Sequence, residues 1–222
     1  QRFGGVSMAG DGDRPTIALI GRVVPIEDVK CFITVTKIAR ERIPNLRALV
    51  IGPVDEDPEY TAECKALAAR LKLDGCLEFT GAVNVLEYLP RIHVAVLTSL
   101  SESQPLVVLE AGAAGIPFVA TNVGSCREII EGRPEEEPHL GPGGIMTTLV
   151  APAKIWEAVA ELLEDPERRR ACGMALRARV NRYFRSDQAA ATYRETYRKY
   201  VEMPDQPIFH GRVVAGEAVW LA

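Results

Sequence analysis

At 222 residues, 47% hydrophobic and 25% charged, the chain can bury a sizeable core and fits one domain better than two. Its formal charge of −4 excludes a surface that holds nucleic acid or anionic lipid mainly through positive charge. Five cysteines without C-x-x-C spacing match neither a disulfide framework nor a zinc ribbon, and no apolar run approaches the ~20 residues of a membrane span, so reduced thiols in an unexported, cytoplasmic protein are expected.

Residues 1–14 carry four glycines and little apolar periodicity and are expected to form a linker. A single domain is expected over 15–203. Residues 204–222, where Gly211 and Gly216 interrupt apolar residues, are expected to be a hairpin or tail with no assigned role. Strands are predicted at 16–20, 47–51, 77–80, 94–98, 118–121 and 145–149, several apolar on consecutive residues as in parallel strands buried on both faces. Between the first two, Val29, Phe32, Ile33, Thr36 and Ile43 repeat at helical spacing, as Ile155, Trp156, Val159, Leu162 and Leu163 do after the last strand. Two more helices are predicted at 167–184 and 187–200, packed on the domain, the second with Ser186 as N-cap and Tyr193, Tyr197 and Tyr200 on one side. The acidic run 135–137 reads as a solvated loop rather than a metal site.

Alternating strands and helices of this kind build an α/β sheet whose ligands sit beyond the carboxyl ends of the strands. Two loops there stand out. Gly21-Arg22 follows the first strand: the glycine permits close backbone approach, and the guanidinium offers paired donors matching phosphate oxygens, although an arginine salt-bridged at a strand end fits equally well. The loop lacks the dinucleotide and P-loop fingerprints, which removes the usual support for NAD or ATP binding. The second loop runs from Thr98 to Gln104 and enters a helix near Pro105, whose first-turn N–H groups can bind an anion. Glu102 precedes that helix and Glu110 lies inside it, so two carboxylates can accept from different hydroxyls of one ligand. Helix-dipole complementation and plain exposure are the respective alternatives. Gly124-Ser125-Cys126-Arg127-Glu128 reads as a tight turn into a helix that can wall the same pocket. His93, His139 and His210 lack metal-ligand spacing, and Cys126 reads as a packed thiol before a reactive one.

Together Gly21-Arg22, the E-x7-E pair Glu102 and Glu110, the following 111–117 run AGAAGIP, and Gly124 with Glu128 resemble glycosyltransferase family 4, retaining transferases of GT-B architecture. The runs 20–26, 97–110 and 123–128 look like its PelF branch, cytosolic transferases of Pel exopolysaccharide synthesis. The likeness spans roughly residues 15–200 and matches the C-terminal, donor-binding domain. It implies a three-layer, Rossmann-like domain with roughly six parallel strands, the C-terminal half of a GT-B fold. It also implies a UDP-sugar donor, UDP-glucose foremost, with no other cofactor and no metal. The base would rest near Phe79 and Val83, the ribose on Glu110 and the sugar on Glu102. Gly21 and backbone groups around Ser103, Gln104, Leu106 and Val107 would meet the diphosphate and sugar, and Arg22 would neutralise the leaving UDP.

Where the family commonly has a lysine five residues after that arginine, this chain has Glu27, and Lys30, one turn later, is expected to supply the missing cation. The implied partners are a nucleotide-sugar, the N-terminal acceptor domain of a longer parent chain and membrane-associated polysaccharide-synthesis proteins, but not nucleic acid. Without the acceptor domain the half is expected to bind donor and not turn over. A non-catalytic nucleotide-sugar-binding or interaction module and a GT-B sugar-nucleotide epimerase are the competing readings.

Overall fold

The structure, a computed structural model, describes residues 3, 5, 6 and 8–201. They form two compact units that divide between Phe184 and Arg185. The first contains six strands: β1 (Thr16–Ile20), β2 (Arg47–Ile51), β3 (Leu77–Gly81), β4 (Val94–Leu97), β5 (Phe118–Thr121) and β6 (Gly144–Thr147). All pair in parallel in the order β3-β2-β1-β4-β5-β6. Six helices connect or follow them: α1 (Val29–Arg42), α2 (Pro58–Arg70), α3 (Leu106–Ala113), α4 (Cys126–Glu131), α5 (Pro152–Glu164) and α6 (Pro166–Tyr183). This is the expected Rossmann-like α/β domain.

The consecutive apolar residues of the strands have their reason in the layering. Successive side chains of β1 point to opposite faces, and both faces are covered, so Ile17 and Ala18 are equally inaccessible. Ile17 and Leu19 join one core with Phe32 and Val35 of α1, Cys64 of α2 and Ile155 and Val159 of α5. Ala18 joins the other with Val108 of α3, Ile129 of α4 and Leu176 and Val180 of α6. Full burial of a side chain such as Phe32 contributes about 1.5–3 kcal/mol.

The predicted bounds of β1, β2 and β5 coincide with the observed ones, while β6 starts and ends earlier than expected, leaving Leu149 and Val150 exposed. Apolar periodicity does not mark the helix α2 that lies between β2 and β3. Its signal was present in Asp57-Pro58: Asp57 caps α2 by accepting from the Tyr60 N–H (2.9 Å), and Pro58 occupies a first-turn position where no N–H is required.

Three expectations need correction. The segment read as a linker packs on the domain. Asp11 pairs with Arg169 and Arg170, Val6 O accepts from Arg177, and Phe3 and Val6 lie against the second core. The acidic run is not wholly solvated: Glu136 is buried in a bidentate pair with Arg179 (2.7 and 2.8 Å), whose guanidinium also donates to the carbonyls of Ile130 and Gly141. Here α6 needs a partner for an inward-facing charge, and the loop after α4 provides it. Finally, α7 (Ser186–Val201), in the second unit, begins at Ser186 itself, and its Tyr193, Tyr197 and Tyr200 are exposed. The tail 204–222 lies outside the described residues.

Candidate functional site

The strand order reverses between β1 and β4, so the chain leaves these neighbouring strands toward opposite sides and opens a crevice at their carboxyl ends. The loops there, 21–28 and 98–105, are the two singled out in the sequence. Gly21 extends the β1 ladder by donating to Ile51 O (2.9 Å), and Val23 donates to Pro53 O (2.9 Å). Gly52 makes this packing possible: at φ +150° it faces the Gly21 carbonyl so closely that a Cβ would lie 2.0 Å from it. A 3-10 turn over Pro25–Glu27 then leads to Asp28, left-handed at φ 46°, whose carboxylate caps α1 through Cys31 N–H (3.3 Å).

Arg22 is exposed on this loop. Its guanidinium meets Glu56 at 3.3 Å and Glu27 at 4.0 Å. Glu27 is turned inward, its side chain 16% exposed, with Oε2 accepting from the Ser99 hydroxyl (2.8 Å) and its carboxyl beside Gly21. Burial pushes its pKa up; the charges of Glu102 and Glu56 act in the same direction, opposed by Ser99 and Arg22.

The loop after β4 is fastened to the first. Thr98 donates its hydroxyl to Glu27 O (2.7 Å) and Leu100 its N–H to Ile26 O (2.8 Å), while Thr121 of β5 donates to Ser99 O (2.7 Å). Thr98 and Ser99 are fully buried; residue-type reasoning missed both as loop fasteners, because a hydroxyl at a strand end carries no signature of its partner. Beyond them Glu102 is half-buried, and Ser103 and Gln104 are exposed. The turn after β5 forms the expected wall. Ser125 N–H donates to Ser103 O (3.0 Å), and Gly124, at φ +50°, comes so near that a Cβ would lie 2.4 Å from Glu102 O.

Pro105 proves to be the N-cap of α3 rather than its first residue, and no side chain caps this helix start, where Leu106 is exposed and Val107 half-buried. Glu110 is the fifth residue of α3 and is exposed. On the other side of the crevice, Val83 is exposed beyond β3, whereas Phe79 is half-buried against the core. Lys30 is placed elsewhere: on α1 it pairs with Glu63 of α2 (2.5 Å) and lies 4.8 Å from the Tyr60 ring centre. The arrangement therefore offers an exposed guanidinium, an uncapped helix start and the carboxylates of Glu27, Glu56 and Glu102 around one crevice, with Glu110 further along the helix, groups that can meet phosphate oxygens and hydroxyls.

His93 and Cys126 are structural, and His210 lies outside the described residues. His93 accepts the Thr16 N–H at Nδ1 (3.2 Å) and places Nε2 3.1 Å from Gly10 O. Burial pushes the Cys126 thiol up to about 11, the opposite of an activated nucleophile. Among the described residues no group of three or more His, Cys, Asp or Glu side chains forms a metal cluster. A separate open cavity of about 450 Å³ lies beyond β5 and β6, lined by Asn122, Arg127, Thr147, Lys154 and Glu157 among others.

The family model for glycosyl transferases group 1 matches residues 14–165. The chain belongs to this family. A GDP-mannose-dependent alpha-(1-6)-phosphatidylinositol monomannoside mannosyltransferase of Mycobacterium tuberculosis is 30% identical over 191 residues, 81% of this chain and 46% of that protein. The group 1 chain thus spans less than half of that relative's length. Among solved structures, the C-terminal domain of a group 1 glycosyl transferase (LpcC) of Francisella tularensis has a TM-score of 0.67 at 21% identity, covering 78% of this chain and 88% of that one. Anabaena HepE in complex with UDP-glucose has a TM-score of 0.74 at 18% identity, covering 85% of this chain and 49% of that one. The group 1 fold accounts for the whole sheet.

Proposed function

We propose that this group 1 domain is the donor-binding half of a retaining glycosyltransferase that moves a hexosyl unit from a UDP-sugar, UDP-glucose foremost, to a growing glycan. The observation that carries the reading is the meeting of Arg22, Glu102 and the uncapped start of α3 where the strand order reverses. In this reading the diphosphate lies against Arg22 and the N–H groups of Leu106 and Val107, with Gly21 leaving room for it. Ser103, Gln104 and Glu102 face the sugar, Glu110 accepts from the ribose hydroxyls, and Val83 flanks the base above a supporting Phe79. As the bond from the anomeric carbon to the β-phosphate oxygen breaks, UDP leaves with the electron pair, and Arg22 neutralises the charge it gains. The acceptor hydroxyl bonds to the anomeric carbon and passes its proton to the departing β-phosphate oxygen. Lys30, committed to Glu63 and Tyr60, takes no part, so Arg22 carries the cationic role alone.

Turnover requires an N-terminal acceptor domain that closes the cleft and excludes water. The PelF-like runs support a reading in which the domain serves cytoplasmic exopolysaccharide synthesis beside membrane-associated partners. A uridine donor is favoured by the fold shared with HepE, whose structure holds UDP-glucose; a guanosine donor is the second reading, favoured by the GDP-mannose-dependent relative. Calorimetric titration of the chain with UDP and GDP tests the site and the base together. UDP should bind more tightly than GDP, and Arg22→Ala and Glu110→Ala should each weaken UDP binding at least about tenfold, the loss expected of a charge-assisted contact. Preference for GDP would establish the second reading. UDP binding indifferent to both substitutions would remove the donor from this crevice.

A further inference from the structure

The most unusual group in the crevice is the carboxylate in its floor. Glu27 is not a surface residue folded over by chance. Its backbone carbonyl is held by the Thr98 hydroxyl, its Oε2 by the Ser99 hydroxyl, and the neighbouring Ile26 carbonyl by the Leu100 N–H. The carboxyl therefore stands fixed between the carboxyl ends of β1 and β4, beside Gly21 and 4.0 Å from the Arg22 guanidinium. It is partly desolvated and ordered by the protein's own groups, which gives a fixed charge more influence than a mobile surface one. The ionisable groups facing it from the adjoining loops are Arg22 after β1, Glu56 after β2 and Glu102 after β4. Acids outnumber the cation, and the cation is already engaged by two of them.

We propose that Glu27 is an internal competitor for the donor's phosphates: with Glu56, the nearer partner, it offsets the Arg22 charge, and a diphosphate binds by drawing the guanidinium away from these carboxylates. The inference rests on the donor reading above and assigns Glu27 a specificity-determining role within it. Phosphate-bearing ligands are penalised in proportion to their charge, and the nucleoside part of the same ligand is not. The Glu27 pKa is pushed up chiefly by burial, with the Arg22 charge acting against the shift, so the folded protein disfavours the charged carboxylate. Protonation of Glu27 should accordingly tighten diphosphate binding as pH falls.

Glu27→Gln removes the charge and keeps the shape, and an amide oxygen still accepts from Ser99. Calorimetric titrations of the 222-residue chain and of Glu27→Gln should be made with UDP, UMP and uridine at pH 7.5 and 5.5. At pH 7.5 the substitution should tighten UDP binding on the order of tenfold and UMP less, leave uridine unchanged, and give a smaller gain at pH 5.5. Equal UDP affinities for the two proteins, or equal changes for UDP and uridine, would overturn the role of Glu27 while leaving the donor site standing. Absence of UDP binding in both proteins would overturn the donor reading and this inference with it.

Discussion

Two inward-turned carboxylates of this chain, Glu136 buried and Glu27 half-buried, have opposite fates. Glu136 is matched: the Arg179 guanidinium donates to both its oxygens and holds its carboxyl below the ordinary range. The folded state therefore favours the charged form. That stabilisation is fully present above the ordinary carboxylate pKa and is lost as pH falls through the depressed folded value. Glu136→Ala leaves Arg179 buried without its counter-charge and should cost about 3–5 kcal/mol, read as a lower midpoint in denaturant at unchanged slope. Replacing both partners, Glu136→Leu with Arg179→Met, should restore a large part of it. Glu27 is mismatched. Its raised pKa means that the charged form costs stability at neutral pH, a cost relieved as pH falls toward the ordinary carboxylate value. Scanning calorimetry should find Glu27→Gln more heat-stable than wild type at pH 7, with the gap narrowing by pH 5; a constant or inverted gap would contradict the sign. Neither fate was legible from the residues alone. The run 135–137 looked solvated because its partner lies 43 positions away on α6, and Glu27 announced only that a carboxylate stood where a cation was expected. Lys30, expected to compensate, turned instead to α2, since its position on α1 faces Glu63 and Tyr60.

At the level of elements, the parallel strands were the most legible part because burial on both faces leaves an apolar run of strand length, and only the ends of β3, β4 and β6 moved. Helices with a strong apolar face, α1 and α5, were equally plain. The harder element was α2, where only Tyr60, Thr61 and Cys64 are buried, so its apolar stripe is thin and its start is marked by a cap rather than by periodicity. Asp57→Ala, which removes that cap, should cost about 1 kcal/mol in thermal or chemical unfolding. The loops hold the site through backbone proximity, and this makes a sharper prediction. Gly124→Ala brings a Cβ onto the Glu102 and Ser103 carbonyls at positive φ, so the loop after β4 must shift. It should destabilise the domain by about 1–3 kcal/mol and weaken nucleotide binding as well. Gly75→Ala also has positive φ (+70°) but open space around its Cβ, and should cost about 1 kcal/mol with nucleotide binding untouched. Equal effects of the two on binding would separate the β5 turn from the site.

Across the first unit, the arrangement follows from one topological fact: the strand order turns at β1, and both loops with distinctive chemistry leave the sheet there. That these loops follow strands was foreseen from the alternation of strands and helices, whereas the strand order that makes β1 and β4 neighbours was not legible in the residues. What the residues did not disclose was the fastening between the loops, since the hydroxyls of Thr98, Ser99 and Thr121 act over separations of 71, 72 and 22 positions. Nor did they disclose that the glycine-bearing start packs on the domain, because its contacts to Arg169, Arg170 and Arg177 are long-range ion pairs and hydrogen bonds and its apolar contacts, through Phe3 and Val6, are too few to make a periodic pattern. The group 1 chain spans less than half of its mannosyltransferase relative, and the proposed donor site is interrogated on this chain directly. The decisive measurement is a crystal structure of the chain grown with UDP. The diphosphate should lie within hydrogen-bonding distance of Arg22 and of the N–H groups of Leu106 and Val107, with Glu27 no longer facing the guanidinium. UDP seated instead in the cavity beyond β5 and β6, against Arg127 and Lys154, would contradict the assignment of the donor to the crevice between β1 and β4.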